Sequence, residues 1–339
     1  MRILAIETSC DETSVSVVEN GRKILSNIIS SQIPIHAQYN GVVPELASRA
    51  HIKNINIVIE EALSKAKIDF DNFNKKIDAI ACTQGPGLAG SLLVGIMASK
   101  TLSYIYDKPL IPINHIEGHI YSACIENAGL KPPFLSVVIS GGHTELIIVK
   151  NYGEYTFLGG TRDDAIGEAF DKTAKILGLS YPGGPVIDKL AEFGDAKKVN
   201  FTRPLLKGTW DFSFSGIKTA VLNYSKKVDI TNKNTVNDIC AGFRQAVSET
   251  IIFKAFEAVE KYNLKTIALG GGVASNSLIR KMFKSTAKNK KIKVFMPSPV
   301  YCTDNASMVG LVAYYKHKKT CIKNNYPVKL IPSLKLENW

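Results

Sequence analysis

Phe134-Leu-Ser-Val-Val-Ile139 runs into Ser140-Gly-Gly-His-Thr144 and out again through Glu145-Leu-Ile-Ile-Val149. Two short apolar runs flanking a polar, glycine-bearing turn read as paired β-strands. The same plan stands near the start of the chain. Ile3-Leu-Ala-Ile6 leads through Glu7-Thr-Ser-Cys-Asp-Glu-Thr13 to Ser14-Val-Ser-Val-Val18. Each turn carries Ser and Thr, with acids in the first and Gly-Gly in the second. A duplicated α/β domain with a phosphate-binding hairpin in each half would leave this echo. Two unrelated hairpins would leave it too, and pattern alone keeps both readings open.

Working outward, Asn20-Gly21 turns into a third strand, Lys23–Ile29. Leu46, Ala50, Ile55, Ile59, Ala62 and Leu63 recur at helical spacing within a helix expected over 45–66. A strand is expected at Ile77–Cys82 before Gln84-Gly-Pro-Gly87, a helix of small residues at Gly90–Ser103, a strand at Leu110–Ile113 and a helix from about Asn114. Past the second hairpin, helices are expected over 163–178, 184–194 and 237–262. Thr266–Leu269 reads as a strand before Gly270-Gly-Gly272, then come a helix over 274–287, a strand at Lys293–Met296 and a closing helix over 304–318. Strands alternating with helices predict α/β architecture with mainly parallel sheets. The 339 residues suggest two domains.

Composition narrows the class. With 45% apolar and 21% charged residues the chain is globular rather than disordered. No apolar run approaches the roughly 20 residues of a membrane-spanning helix, and the N-terminus reads as a buried strand without a signal-peptide core. The six cysteines form no C-x-x-C pair, so a reduced, cytoplasmic protein is expected rather than a disulfide scaffold or zinc finger. Lys and Arg outnumber Asp and Glu by 42 to 30, a net +12 that suits a polyanionic partner. Only 7 of the 42 bases are Arg, so a compositional drift toward Lys explains the excess equally well. Arg280–Lys293, rich in bases and free of acids, is the candidate nucleic-acid surface.

His115-Ile-Glu-Gly-His119 is the strongest chemical signal. Histidines at i and i+4 share one helix face and can reach one metal ion. The spacing is not the H-E-x-x-H of zinc proteases, and Glu117 at i+2 points away from the shared face. A third ligand is needed. Asp304, in Cys302-Thr-Asp-Asn305, stands where a helix should begin in a stretch short of acids. Ser140-Gly-Gly142 and Gly270-Gly-Gly272 each follow a strand, where backbone amides can approach an anion. Neither matches a Walker or Rossmann fingerprint. Asp11 and Glu12 sit among hydroxyls in the first turn and could orient an incoming amine, or simply serve the turn. Asp163, Asp164 and Asp171 are read early on a helix, where acids also complement the dipole. Asp188 could bond a ribose or an amino-acid group.

In order along the chain, Ile6-Glu-Thr-Ser-Cys-Asp-Glu-Thr13, Pro44-Glu-Leu-Ala-Ser-Arg-Ala-His51, His115-Ile-Glu-Gly-His119, Ser140-Gly-Gly-His-Thr144, Gly167-Glu-Ala-Phe-Asp-Lys172, Tyr181-Pro-Gly-Gly-Pro185, Phe212-Ser-Phe-Ser-Gly216, Gly270-Gly-Gly-Val-Ala-Ser-Asn276 and Cys302-Thr-Asp-Asn305 closely resemble the TsaD (Gcp) family in its bacterial or organellar form. The resemblance runs essentially end to end. It implies an actin-like ATPase superfamily fold, two duplicated α/β domains around a nucleotide cleft, which favours the duplication reading of the echo. The implied domains are 1–130 with a C-terminal helix at about 304–325, and 131–303. The implied activity is transfer of threonylcarbamoyl from threonylcarbamoyl-AMP to the exocyclic amine of adenosine 37 in tRNAs reading ANN codons. By the same likeness His115, His119 and Asp304 bind one divalent metal, iron with zinc as the alternative. Val138, Ile139, Ser140, Gly141, Gly142, Asp171, Gly184, Asp188 and Asn276 hold the adenylate, an adenine nucleotide occupies the cleft, and TsaB-like and TsaE-like proteins are partners. Glu7 stands where many actin-like ATPases have Asp, which argues against simple ATP hydrolysis. Asp11 and Glu12 are the expected acid–base residues. A metalloprotease, an actin-like ATPase or sugar kinase, and a non-catalytic scaffold are the competing classes. The His pair's spacing opposes the first, and its presence together with Asp304 opposes the last.

Overall fold

In a computed structural model, residues 1–206, 208–322 and 328–339 are described. The first sheet grows from the N-terminal run. β1 (Arg2–Glu7), β2 (Glu12–Glu19) and β3 (Lys23–Ser31) form an antiparallel meander, and β4 (Ala79–Gly85) and β5 (Leu110–Asn114) add in parallel, in the order β3-β2-β1-β4-β5. Alternation decides what covers each face. Leu4, Ile6, Val15 and Val17 pack in one core with residues of α2 (Pro44–Lys65) and α4 (Ala89–Tyr106). Short helical turns α1 (Ile33–His36) and α3 (Phe73–Lys76) lie in the connections. α5 (His115–Tyr121) leaves directly from β5.

The second sheet repeats the plan. β6 (Phe134–Ile139), β7 (Thr144–Asn151) and β8 (Glu154–Gly160) are followed by β9 (Thr266–Gly270) and β10 (Lys293–Phe295), in the order β10-β9-β6-β7-β8. β6 pairs antiparallel with β7 and parallel with β9, as β1 does with β2 and β4. Helices α6 (Ile166–Ile176), α7 (Gly183–Leu190), α8 (Ser215–Ser225), α9 (Lys233–Lys261) and α10 (Ser277–Lys290) surround a core that includes Phe170, Phe212, Phe214 and Phe243. α11 (Pro299–Cys302) is a single turn. α12 (Ala306–Thr320) returns to the first sheet, where Gly310 lies against Val18 and Ala5 and Ser307 Oγ is 2.9 Å from Ser16 Oγ.

The chain divides into two units, one of Met1–Leu130, Asn151–Tyr155 and Thr303–Trp339, the other of Lys131–Lys150 and Thr156–Cys302. The end of the helix expected to reach about 325 falls on 323–327, outside the described residues. No helix among the described residues is long and apolar enough to cross a membrane. All six cysteines are free thiols.

The structure corrects three expectations. The sheets are not mainly parallel, because the hairpins make half of each sheet antiparallel. β8 and α8 were not foreseen. The helix read from 163 begins at Ile166, because Asp163 and Asp164 are used elsewhere. Asp163 caps α8 from a distance in sequence. Its carboxylate accepts bonds from the Phe214 and Ser215 amides (2.7 and 3.2 Å) and from the Ser213 and Ser215 hydroxyls (2.5 and 2.7 Å). Asp164 accepts from Lys172 and Lys218. The first acids of this motif are therefore staples between helices. Asp163→Ala is expected to cost about 1–2 kcal/mol, read as a lower urea midpoint with unchanged slope.

Candidate functional site

Asn114 ends β5 and its Oδ1 accepts from the Ile116 amide at 2.8 Å, starting α5 with His115 as its first residue. One turn later His119 comes onto the same side. Gly118 allows α12 to approach: a Cβ there would lie 2.9 Å from Met308 Cγ. That approach brings the start of α12 to the histidines. Asn305 caps α12 by accepting from the Met308 amide, and Asp304 immediately precedes this cap. Asp304 Oδ1 lies 3.5 Å from His115 Nε2 and 3.2 Å from His119 Nε2, with the imidazole centroids 4.6 Å apart. One ligand atom from each of the three residues lies within 4.8 Å of the others.

The environment of these groups suits a cation. His119 is fully buried, its Nε2 lies 3.2 Å from the Asp304 carboxylate, and among the described residues its Nδ1 has no hydrogen-bond partner. Burial holds its pKa below the ordinary value. His115 behaves oppositely. Burial alone would lower it, but Asp304 and then Glu7 outweigh burial and push it up to about 9. Glu7 is fully buried, and its neighbour His115 holds it below the usual carboxylate range against the effect of burial. Glu7 Oε2 is 3.2 Å from His115 Nδ1 and accepts from Thr83 Oγ1, while Oε1 accepts from the Ser9 amide. A carboxylate on Nδ1 turns Nε2 toward a metal, the usual outer-shell arrangement around ligating histidines. The donor set, two imidazoles and one carboxylate, fits a divalent transition metal with room for exogenous ligands. The sequence reading missed the parts played by Glu7 and Ser9. The only signal was an acid closing an otherwise apolar strand.

Asp11 and Glu12 stand at the β1–β2 turn of the same unit. The turn's carbonyls are held from outside, that of Cys10 by His51 Nε2 at 3.0 Å and that of Asp11 by the Gln32 amide at 3.0 Å. Burial, then the Asp11 and Asp304 carboxylates, raise the Glu12 carboxyl well above the usual range.

The residues expected to hold an adenylate all lie in the second unit. Val138 and Ile139 are fully buried, so their side chains belong to the core and only their backbone can face a ligand. Ser140 and Gly141 carbonyls accept from the Gly167 and Glu168 amides, tying the turn to α6. Cβ atoms at Gly141, Gly142 or Gly184 would meet nothing within 4 Å, so all three border open space. Gly271, at φ +91°, brings β9's exit within reach of β6's: a Cβ there would lie 2.3 Å from the Ile139 carbonyl oxygen. These turns leave the carboxyl ends of parallel strands, where open α/β sheets bind ligands. Asp171 lies within α6 and its Oδ1 accepts from the Gly183 amide at 2.7 Å. Asp188 accepts from Arg244 (2.8 Å) and from the Ser277 amide and hydroxyl (2.9 and 3.0 Å), and Asn276 caps α10. Arg244, mostly buried, was not singled out in the sequence. It joins α9 to α7 and α10 through Asp188 and Ser277.

The basic stretch is less uniform than its composition. Arg280 is spent internally on the Ala274 and Pro297 carbonyls, and Lys290 pairs with Glu260. Lys281, Lys284, Lys288, Lys291 and Lys293 are exposed. Lys293 opens β10 beside Thr266, which opens β9, so this end of the stretch lies at the opposite end of the parallel strands from the glycine turns.

Known proteins resemble this chain in sequence and in fold. The sequence profile of the TsaD family, described as tRNA N6-adenosine threonylcarbamoyltransferase, matches residues 23–311. The chain belongs to the TsaD family. A tRNA N6-adenosine threonylcarbamoyltransferase of Endomicrobium trichonymphae is 63% identical over 340 residues, covering 100% of this chain and 99% of that protein. One of Clostridium kluyveri is 50% identical, covering 99% and 98%. Among solved structures, HypF of T. kodakarensis superposes with a TM-score of 0.64 at 16% identity, over 94% of this chain and 48% of that one. A ROK hexokinase from Thermus thermophilus superposes with a TM-score of 0.50 at 12% identity, over 94% and 100%. These likenesses show an actin-like ATPase fold, in agreement with the two five-stranded sheets of like plan.

Proposed function

We propose that this TsaD-family chain transfers threonylcarbamoyl from threonylcarbamoyl-AMP to the exocyclic amine of adenosine 37 in tRNAs reading ANN codons. The observation that carries the reading is the 63% identity, end to end, to a protein named for this transfer. The donor is a mixed anhydride and already activated, so the reaction needs positioning and charge stabilisation rather than a Ser or Cys nucleophile. His115, His119 and Asp304 would hold one divalent metal, iron or zinc. When bound, the metal supplies Lewis-acid stabilisation of the carbamoyl or phosphate oxygens.

The remaining tasks fall to the chain. Amides of Gly141 and Gly142 receive the donor's phosphate, and Asp171, Gly184, Asp188 and Asn276 frame its nucleoside. The adenosine amine is a weak nucleophile, and Asp11 orients it and takes its proton as the new N–C bond forms and the C–O bond to phosphate breaks. Glu7 is committed to His115, Thr83 and Ser9, which supports acyl transfer over ATP hydrolysis. TsaB-like and TsaE-like proteins are the proposed partners. Leu93, Met97 and Tyr104, exposed at helical spacing on α4, support a protein partner.

Reconstitution with such partners, an adenylate-forming enzyme, threonine, bicarbonate, ATP and an ANN-reading tRNA should yield the modified nucleoside by mass spectrometry. None under any combination overturns the reading. The triple variant Lys288→Gln, Lys290→Gln, Lys291→Gln is expected to lower kcat/KM for tRNA several-fold and to flatten its dependence on log salt by about 2. An unchanged slope removes this surface from the RNA contact.

A further inference from the structure

Glu117 sits between the two histidines of α5, and none of the steps above uses it. Its side chain is buried and accepts hydrogen bonds from Tyr155 Oη at 2.7 Å and from Trp339 Nε1. Both donors belong to a wider fastening within the first unit. Tyr155 Oη is 3.2 Å from Tyr121 Oη, and Tyr121, the last residue of α5, also accepts from the Gly153 amide. The Trp339 amide donates to the Gly153 carbonyl at 3.0 Å, and the indole covers Gly153 so closely that a Cβ there would fall 2.4 Å from the ring. Asn338 Oδ1 accepts from the Tyr155 amide at 2.7 Å. Upstream, the Lys335 carbonyl accepts from Asn114 Nδ2, the side chain whose Oδ1 starts α5. Further back, the Pro332 carbonyl accepts from the Gly87 amide and the Lys329 carbonyl from Gln84 Nε2. Residues 329–339 thus reach α5 at its cap and at its middle.

A seven-residue helix does not hold its own orientation, since isolated helices of that length are unstable in water. Ligating side chains need placement to about 0.5 Å. His115 and His119 face Asp304 on one side of α5, and Glu117 faces the indole and phenol on the other. We infer that Glu117 and Trp339 form a clasp that fixes the rotation of α5 and so holds His115 and His119 at ligating distance. Both are positioning residues: they touch neither the metal ligands' donor atoms nor the turns assigned to substrate. The inference rests on the proposed metal site. It explains why the motif carries a buried acid where a protease base would be misplaced.

The test is a titration of the full chain with Co2+, followed by its visible d–d bands, beside thermal unfolding. Trp339→Phe keeps an aromatic ring at the Gly153 side and removes the Nε1 donor together with the outer part of the indole. Glu117→Gln keeps an acceptor, whereas Glu117→Ala keeps none. Trp339→Phe and Glu117→Ala are expected to weaken Co2+ binding about 10-fold or more, with altered band shape. Glu117→Gln should stay near the parent, and Tm should move little in Trp339→Phe. Parent-like affinity and spectrum in Trp339→Phe overturn the clasp, whether or not Glu117→Ala folds. A parent chain that binds no Co2+ refutes the metal reading instead. The clasp is then judged by amide hydrogen exchange in Ile116–Tyr121: faster exchange in Trp339→Phe upholds it, and unchanged exchange overturns it.

Discussion

Replacing His115 by alanine is expected to drop bound metal from about one ion per chain to under about a tenth, and transfer by at least about 1000-fold. Elemental analysis and single-turnover nucleoside assays read the two quantities. Unchanged metal content in the variant refutes the assignment. The arrangement of charge explains the size of the effect. Without metal, His115 lies between Glu7 on Nδ1 and Asp304 on Nε2, and the two carboxylates push it up to about 9 despite burial. A proton therefore holds the place a metal would take. Below about pH 9 the metal must displace that proton, so Co2+ affinity is expected to fall about tenfold per pH unit as pH decreases. The sign follows from the raised value: protonation favours the metal-free state, and raising the pH removes the competitor. For His119 burial acts the other way, lowering its pKa and favouring the neutral imidazole that a metal needs.

How far this site could be read from the chain depends on where each residue's partners lie in sequence. The histidine pair was legible because one helical turn brings i and i+4 together, and Asp304 because it stands at an expected helix start in a stretch short of acids. Glu7 was not, since its partners Thr83 and His115 are 76 and 108 residues away. Trp339 was further out of reach, 222 residues from Glu117. The same distinction governs the fold. The hairpins of both sheets stand out as apolar runs around polar turns. β8 does not, because only two of its seven residues are buried, Tyr155 and Gly159. α8 escaped notice because nothing local caps it: the acceptor for its first amides is Asp163, 52 residues before Ser215. Asp163 was instead read as the start of its own helix, so one distant hydrogen-bond set produced two errors.

The two acids of the first turn are expected to separate sharply on mutation. Asp11→Asn should lower single-turnover transfer about 100- to 10,000-fold with metal content and Tm near the parent, whereas Glu12→Gln should cost about tenfold or less. Burial is the first reason Glu12 is raised well above the usual carboxylate range, and the Asp11 and Asp304 charges add to it. Burial and the neighbouring carboxylates thus both favour the neutral form of Glu12. Glutamine mimics the neutral form that these surroundings favour, so little changes. Asparagine at 11 removes the carboxylate assigned to accept the amine's proton. Equal losses in the two variants would show that both carboxylates are needed ionised and would move the base away from Asp11 alone.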